Sequence, residues 1–428
     1  MKLFLLLFTP VFCLVSSNAL SNTTDELIRI ALENNPALKG AVHQSKAAES
    51  SYRKQSILPK NPVFSFSYSN IPVTEFPSLT EHAMSGISIG LSQYIASPFE
   101  SSARKKLFKN RYMAKQEIIR EAKNGLALQI RLTHAALIFI GTKKQILNKN
   151  KETLGTISKV AESLVAVNRM NATQLLKIRA EIYDLGISLK EVSGILEKEK
   201  QKLEKLCGIP LAEKLLHNTT DDEQLQTIDL EKSDNFTPKT HPLYKKYEML
   251  LKATQAAYGM EKAKTVPGIT IGLDYRIRQK ITGKDAGEDF ISLKASVPLP
   301  LYYPLKERHA IRAEKQKLLA AEKELQNISL QLSTAWKGEL KNFILLSKSF
   351  SEYQNQILPM YFSVYQSQIS ILPAGSTTII DVLDSYRLYL KASLRKARLR
   401  RDVTFSRAKL MYLLYRFPQH KVRKEYKK

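Results

Sequence analysis

Four short stretches of this chain alternate between apolar and polar residues, while most of the remainder repeats its apolar residues every three to four positions. In the first stretch Phe64, Phe66 and Tyr68 interleave with Ser65, Ser67 and Ser69, and in the second Ile87, Ile89 and Leu91 interleave with Ser88, Gly90 and Ser92. The third interleaves Ile269, Ile271, Leu273, Tyr275 and Ile277 with Thr270, Gly272, Asp274, Arg276 and Arg278. The fourth sets Ile291, Leu293, Ala295 and Val297 against Ser292, Lys294 and Ser296. Period-two alternation predicts strands with one apolar and one polar face, here over 62–70, 84–96, 268–278 and 288–299. Two settings fit such strands: ordinary hairpins on a soluble core, or membrane strands with lipid on one side and water on the other. The second is favoured because Ser65, Ser67, Asp274, Arg276, Arg278 and Lys294 fall on the polar face, as a wet lumen requires. Phe64, Phe66, Tyr68, Ile269, Ile271, Tyr275, Ile291 and Leu293 would then face lipid. Four strands are too few to close a barrel, and unpaired edges are not tolerated in lipid, so several chains would have to share one.

The helical pattern is long. No proline occurs between Pro98 and Pro210, or between Pro304 and Pro359. From Arg104 to about Val165 an apolar stripe (Ile118, Leu126, Ile130, Leu137) runs through Lys- and Glu-rich sequence. A helix of roughly 60 residues is about 90 Å long, which predicts a coiled coil rather than a globular core. Thr173 to Leu206 supplies a returning partner, and Ala310–Ile357 followed by Tyr361–Tyr415 repeats the plan.

That repetition is general. Asn35-Pro36 is echoed by His241-Pro242 at an offset of 206, and Leu206 and Asn168 by Leu413 and Gly375 at 207. The chain is thus expected to be an internal duplication with pseudo-two-fold symmetry. The first repeat covers 20–208, with a helical hairpin over 100–207 turning near 168; the second covers 241–416, with a hairpin over 304–416 turning near 375. An acidic joint (209–240) connects them, and a basic tail (417–428) follows.

Met1-Lys2, the apolar run Leu3–Val15 and the small residues of Ser17-Asn18-Ala19 predict a signal sequence cleaved after Ala19. Cys13 leaves lipid attachment as an alternative, although Phe12 is large for that chemistry. With Cys207 the other cysteine, no disulfide framework is expected. No later run reaches 18 uncharged apolar residues, so no transmembrane helix is expected. The net charge of +26, with 14 basic and 2 acidic residues in Lys391–Lys428, would suit nucleic acid. Export and the absence of any nucleic-acid motif argue against that partner. Contact with anionic lipid, an anion-attracting lumen and a lysine-rich background remain as explanations. The seven histidines are scattered without HExxH spacing, and no GxSxG, Walker A or Rossmann fingerprint occurs. No catalysis, cofactor or metal site is expected.

The duplicated helix–strand–strand–hairpin plan, Asn35-Pro36, and Gly375-Ser376-Thr377-Thr378-Ile379-Ile380-Asp381-Val382-Leu383-Asp384 resemble the TolC-like outer-membrane efflux proteins over residues 24 to 416. Leu58-Pro59-Lys60-Asn61-Pro62 and Val297-Pro298-Leu299-Pro300-Leu301 are similar to the outer component of cobalt–zinc–cadmium type RND efflux systems. The resemblance implies a mainly α fold with a small transmembrane β part. Its homotrimer shares a twelve-stranded barrel continued by an α-barrel that crosses the periplasm. The implied partners are outer-membrane lipid, a periplasmic adaptor (membrane fusion protein) and an inner-membrane RND pump. The implied function is passive conduction to the outside. An ATP-driven type I protein secretion system could use the same duct, and a non-conducting coiled-coil scaffold is the reading from another class.

At the tips, a helix that reverses abruptly wants a residue tolerant of left-handed φ. Asn168 and Gly375 suit that need. The family carries glycine at both tips and docks its adaptor there, so Asn168 departs from the pattern. Asp381 and Asp384 share a helix face. The resemblance makes them a carboxylate ring at the entrance constriction, whereas elementary helix electrostatics would place acids near an N-terminus anyway. The family's Tyr and Arg gate residues fall on Leu372 and Thr377, which would leave closure to the packing of Leu372.

Overall fold

The computed structural model describes residues 23–55, 60–70, 73, 84–211, 236–280, 283, 286–299, 301–302, 305–372 and 376–415. The signal sequence, the tail from 417, most of the joint and Gly375 therefore lie outside the described residues. The order is α1 (Thr23–Asn34), α2 (Pro36–Lys54), β1 (Val63–Ser69), β2 (Gly86–Ile95), α3 (Pro98–Ala166) and α4 (Ala172–Cys207). A short 3₁₀ turn (Pro238–Thr240) then leads into α5 (Pro242–Ala263), β3 (Ile269–Ile277), β4 (Phe290–Ser296), α6 (Glu307–Glu352), α7 (Leu358–Ile371) and α8 (Ile379–Leu413).

Helix α3 runs 69 residues without interruption, about 100 Å at the standard rise. It packs against α2, α4, α5 and α8 and so forms the spine of the chain. One stretch of α3 is long and apolar enough by composition to cross a membrane, and 44% of it is buried inside the chain. Apolar positions build two main cores. Leu27, Ile28, Ile130, Leu203 and Cys207 join α1, α3 and α4. Leu332, Trp336, Val403 and Leu410 join α6 to α8, with Phe236 stacked on Trp336 at 5.0 Å.

The second hairpin departs from expectation at Pro359. The sequence suggested one helix to Ile357 and another from Tyr361, yet helix continues through the proline to Ile371. Proline has no N–H, which would strand a carbonyl one turn earlier. A π-turn over Tyr353–Ile357 absorbs the defect, with the Leu358 N–H reaching back to the Tyr353 carbonyl.

Asn35 and His241, the residues before the two echoed prolines, both cap helices. Asn35 caps α2 by accepting from the Leu38 N–H (3.0 Å), and its amide donates to the Leu206 carbonyl at the end of α4 (2.8 Å). At the second joint His241 Nδ1 accepts from the Leu243 N–H (3.1 Å), while Asn124, from α3 of the first repeat, donates to the Tyr412 carbonyl at the end of α8 (2.9 Å). His241 is fully buried, edge-on to Tyr412 and near Glu121, to which the Tyr412 hydroxyl donates. Burial holds the His241 pKa down to about 4, against a small opposing hydrogen-bond effect from Tyr412.

A base whose folded pKa lies below its unfolded value of about 6.5 binds more protons when unfolded. The stabilisation is complete above pH 6.5 and is lost as pH falls towards 4, by about 3 kcal/mol in all. Burial raises the Glu121 pKa, which works in the opposite direction. The histidine contribution is therefore the difference between wild type and His241→Asn, which retains a cap of the kind used by Asn35. Unfolding midpoints measured from pH 7.5 to 4 should fall more steeply for wild type, and parallel profiles would contradict the assignment.

Candidate functional site

Two regions position the side chains singled out from sequence: the sheet and the ends of the two hairpins. The sheet is antiparallel throughout with order β1-β2-β3-β4. Its register places residues in cross-strand rows. Phe66, Ile89, Tyr275 and Ile291 form one row, and Phe64, Leu91, Leu273 and Leu293 the next on the same face. Ser65, Gly90, Asp274 and Ser292 form a row on the opposite face. Tyr68 and Ile271 share the apolar face; Ser67, Arg276 and Lys294 share the polar one. Ile269 opens β3 opposite Ile95. Within one chain the apolar face is bare, with Phe64 69%, Ile291 72% and Leu293 78% exposed. The strands are one to three residues shorter at their ends than the alternation suggested.

The polar face is wired internally. Lys294 Nζ lies 2.7 Å from Asp274 Oδ2, and Arg276 donates to the Met84 carbonyl. Gly90 leaves room for this, since a Cβ there would lie 2.1 Å from Asp274 Oδ1 and 2.5 Å from Ser65 Oγ. Arg278 follows β3 instead of belonging to it, and its guanidinium sits 5.1 Å from the centre of the Phe290 ring. Phe290 pairs with Arg276 on the polar face, a position the alternation did not single out.

At the first tip Asn168 has φ +53° and closes a Schellman motif. Its N–H donates to the Val165 carbonyl (3.0 Å) and the Arg169 N–H to the Leu164 carbonyl (2.8 Å). Asn171 then caps α4 by accepting from the Thr173 N–H. At the second tip Leu372 packs against a core shared by both hairpins, containing Leu154, Ala161, Ile178, Ile379, Leu383 and Tyr386. Thr377 Oγ is 2.5 Å from Gln368 Oε1.

The two aspartates do different things. Asp381 completes a capping box with Thr378, accepting from its hydroxyl (2.6 Å) and N–H (3.0 Å), and the hydroxyl bond chiefly holds its pKa below the usual carboxylate range. Asp384 is paired with Arg387 at 2.7 Å. Arg387, which the sequence reading did not single out, also holds Glu181 of α4 through two bonds of 3.2 and 2.6 Å. Glu181 and Arg387 are 206 residues apart, one short of the 207 offset that relates the two hairpins. Tyr365 stacks on Tyr389 at 6.2 Å and lies tilted against Tyr386 at 5.0 Å. Among the described residues no His, Cys, Asp or Glu group could hold a metal.

No family model and no curated protein matches the sequence. Solved structures do match. CusC, described in connection with transmembrane channel formation, superposes with a TM-score of 0.78 over 94% of this chain and 95% of its own, at 17% identity. The outer membrane protein VceC of Vibrio cholerae gives 0.77 over 91% and 95%, at 13% identity. The Campylobacter jejuni CmeC outer membrane channel gives 0.75 over 92% and 85%, at 14% identity. The chain has the TolC-like fold. It combines long helical hairpins with a small four-stranded sheet whose edge strands are β1 and β4.

Proposed function

We propose that this protein is the outer-membrane exit duct of a tripartite efflux system. Three chains close a twelve-stranded barrel, β4 of each pairing with β1 of the next. The observation that carries the reading is the sheet: its apolar rows are exposed on one face, its charged rows lie on the other, and both edges are open. Lipid satisfies the first, water the second and neighbouring chains the third. The TM-scores of 0.78, 0.77 and 0.75 to structures described in terms of transmembrane channel formation, an outer membrane protein and an outer membrane channel support it. The hairpin ends, with the left-handed turn at Asn168 and the corresponding turn expected at Gly375, would meet a periplasmic adaptor and, through it, an RND-type pump. Leu372, Thr377, Asp381 and Asp384 would border the entrance.

The Arg387 clamp joins α8 to α4 just above that entrance and would restrain it. In planar bilayers the purified protein should give discrete conductance steps. Arg387→Ala should enlarge them, by about twofold or more. Asp384→Asn, which leaves the capping box intact, should shift the reversal potential away from cations, as expected of an acidic ring. A protein that inserts but never conducts would instead be a scaffold.

A further inference from the structure

All four connections between the sheet and the helices leave from one end of the sheet. The register sets the start of β1 near the end of β2, Ile95 of β2 beside Ile269 of β3, and Thr270 beside Ser296 of β4. The segments at that end (52–62, 96–109, 258–268 and 297–312) carry twelve basic residues and three acids, Glu100, Glu261 and Glu307. The loops at the opposite end (70–85 and 278–289) carry three basic residues and five acids. The sheet is thus strongly cationic on its helix side and mildly acidic on the other.

The cations have apolar company. Phe99, Leu299, Leu301, Tyr302 and Leu305 stand at the junction of sheet and helices, and each is at least 69% exposed. Phe99 shares a face of α3 with Lys106 and Lys109, and Leu305 is followed by Arg308 and Arg312 on one face of α6. These four cations are exposed and form no ion pair among the described residues. Both helices begin at the sheet, and side chains on a helix lean towards its N-terminus, so the cations lean back towards the apolar rim. Lys106 lies about 10 Å along the helix from Phe99, and its long stem shortens that gap. Lys306 and Arg308 occupy the positive N-terminal end of α6, where acids are the favourable choice, so helix stability does not account for them. An anionic phospholipid surface matches the whole arrangement: acyl chains cover the rim, and headgroup phosphates meet the cations.

We propose that this collar binds anionic phospholipid, the leaflet on the helix side of the barrel being held by the exposed cations of α3 and α6 with the apolar rim in its acyl region. The proposal rests on the duct reading, which puts the sheet in lipid. The full chain reconstituted in phosphatidylcholine bilayers is probed with spin-labelled phosphatidylglycerol and spin-labelled phosphatidylcholine. Electron paramagnetic resonance then gives the fraction of each lipid held at the protein surface. We expect phosphatidylglycerol to be held about threefold more strongly or better at about 50 mM salt, and the preference to fall towards unity at about 500 mM. Lys106→Gln, Lys109→Gln, Arg308→Gln and Arg312→Gln combined should remove most of the preference while cross-linked trimers and conductance persist. Lys190→Gln with Lys198→Gln, at exposed positions of α4, should leave it unchanged. Equal retention of both lipids by wild type overturns the proposal, as does a preference that survives the collar variant or is lost equally in the α4 variant. Loss of trimers in the collar variant also overturns it, assigning the cations to contacts between copies of the chain. A wild-type protein that inserts and conducts without preferring the anionic lipid refutes the collar alone, whereas one that never enters the bilayer refutes the duct as well.

Discussion

Leu273→Arg is expected to abolish recovery of assembled protein from the outer membrane. Leu273 is the central residue of β3, sits between Leu91 and Leu293 in an apolar row, and is 54% exposed in the single chain. If that row faces acyl chains, an arginine near the bilayer midplane costs about 2–4 kcal/mol per chain. Three chains per barrel bring this to about 6–12 kcal/mol, comparable to the whole stability of a typical domain. The matched control is Ser292→Arg, on the polar face opposite Asp274, where water and a carboxylate are available. Cross-linking of membrane fractions should show trimers for Ser292→Arg and almost none for Leu273→Arg. The reverse pattern would mean that the faces had been assigned backwards, and equal recovery would mean that the sheet does not meet lipid.

The opposite character of the two faces explains why the sheet was legible in the sequence. Side chains alternate with period two, so an apolar and a polar face write themselves directly onto Phe64 to Tyr68 and Ile269 to Ile277. The long helices were legible for a related reason, since their length leaves no globular alternative. Other features were not legible. Pro359 reads as a helix end, because nothing local announces that a π-turn one step earlier absorbs the missing donor. The pairing of Arg387 with Glu181 spans 206 residues and is invisible to any local pattern. Asp381 and Asp384 look alike in sequence, yet the first is occupied by the capping box and the second by Arg387.

The second large effect is that of Gly208→Val, which is expected to destabilise the fold by about 3 kcal/mol or more. Gly208 ends α4 with φ +75°, its N–H bonded to the Glu204 carbonyl. A β-branched residue is disfavoured at such a φ by more than the 1–2 kcal/mol usual for other side chains. Crowding adds to this. A Cβ at Gly208 would lie 2.8 Å from the Asn34 carbonyl oxygen and 3.3 Å from Pro36 Cδ, and backbone cannot swing aside as a side chain can. The obstruction falls where Asn35 ties the end of α4 to the start of α2, so relief by backbone movement would break the Asn35–Leu206 bond. The position 207 residues later provides the comparison. Tyr415 ends α8 with φ +52° and already bears the strain of a side chain in left-handed geometry. Gly208→Ala should therefore cost less than Gly208→Val, retaining the φ penalty with a smaller clash. Thermal unfolding in detergent should rank wild type above Gly208→Ala and Gly208→Ala above Gly208→Val. Equal midpoints for all three would mean that the end of α4 is free to separate from α1 and α2.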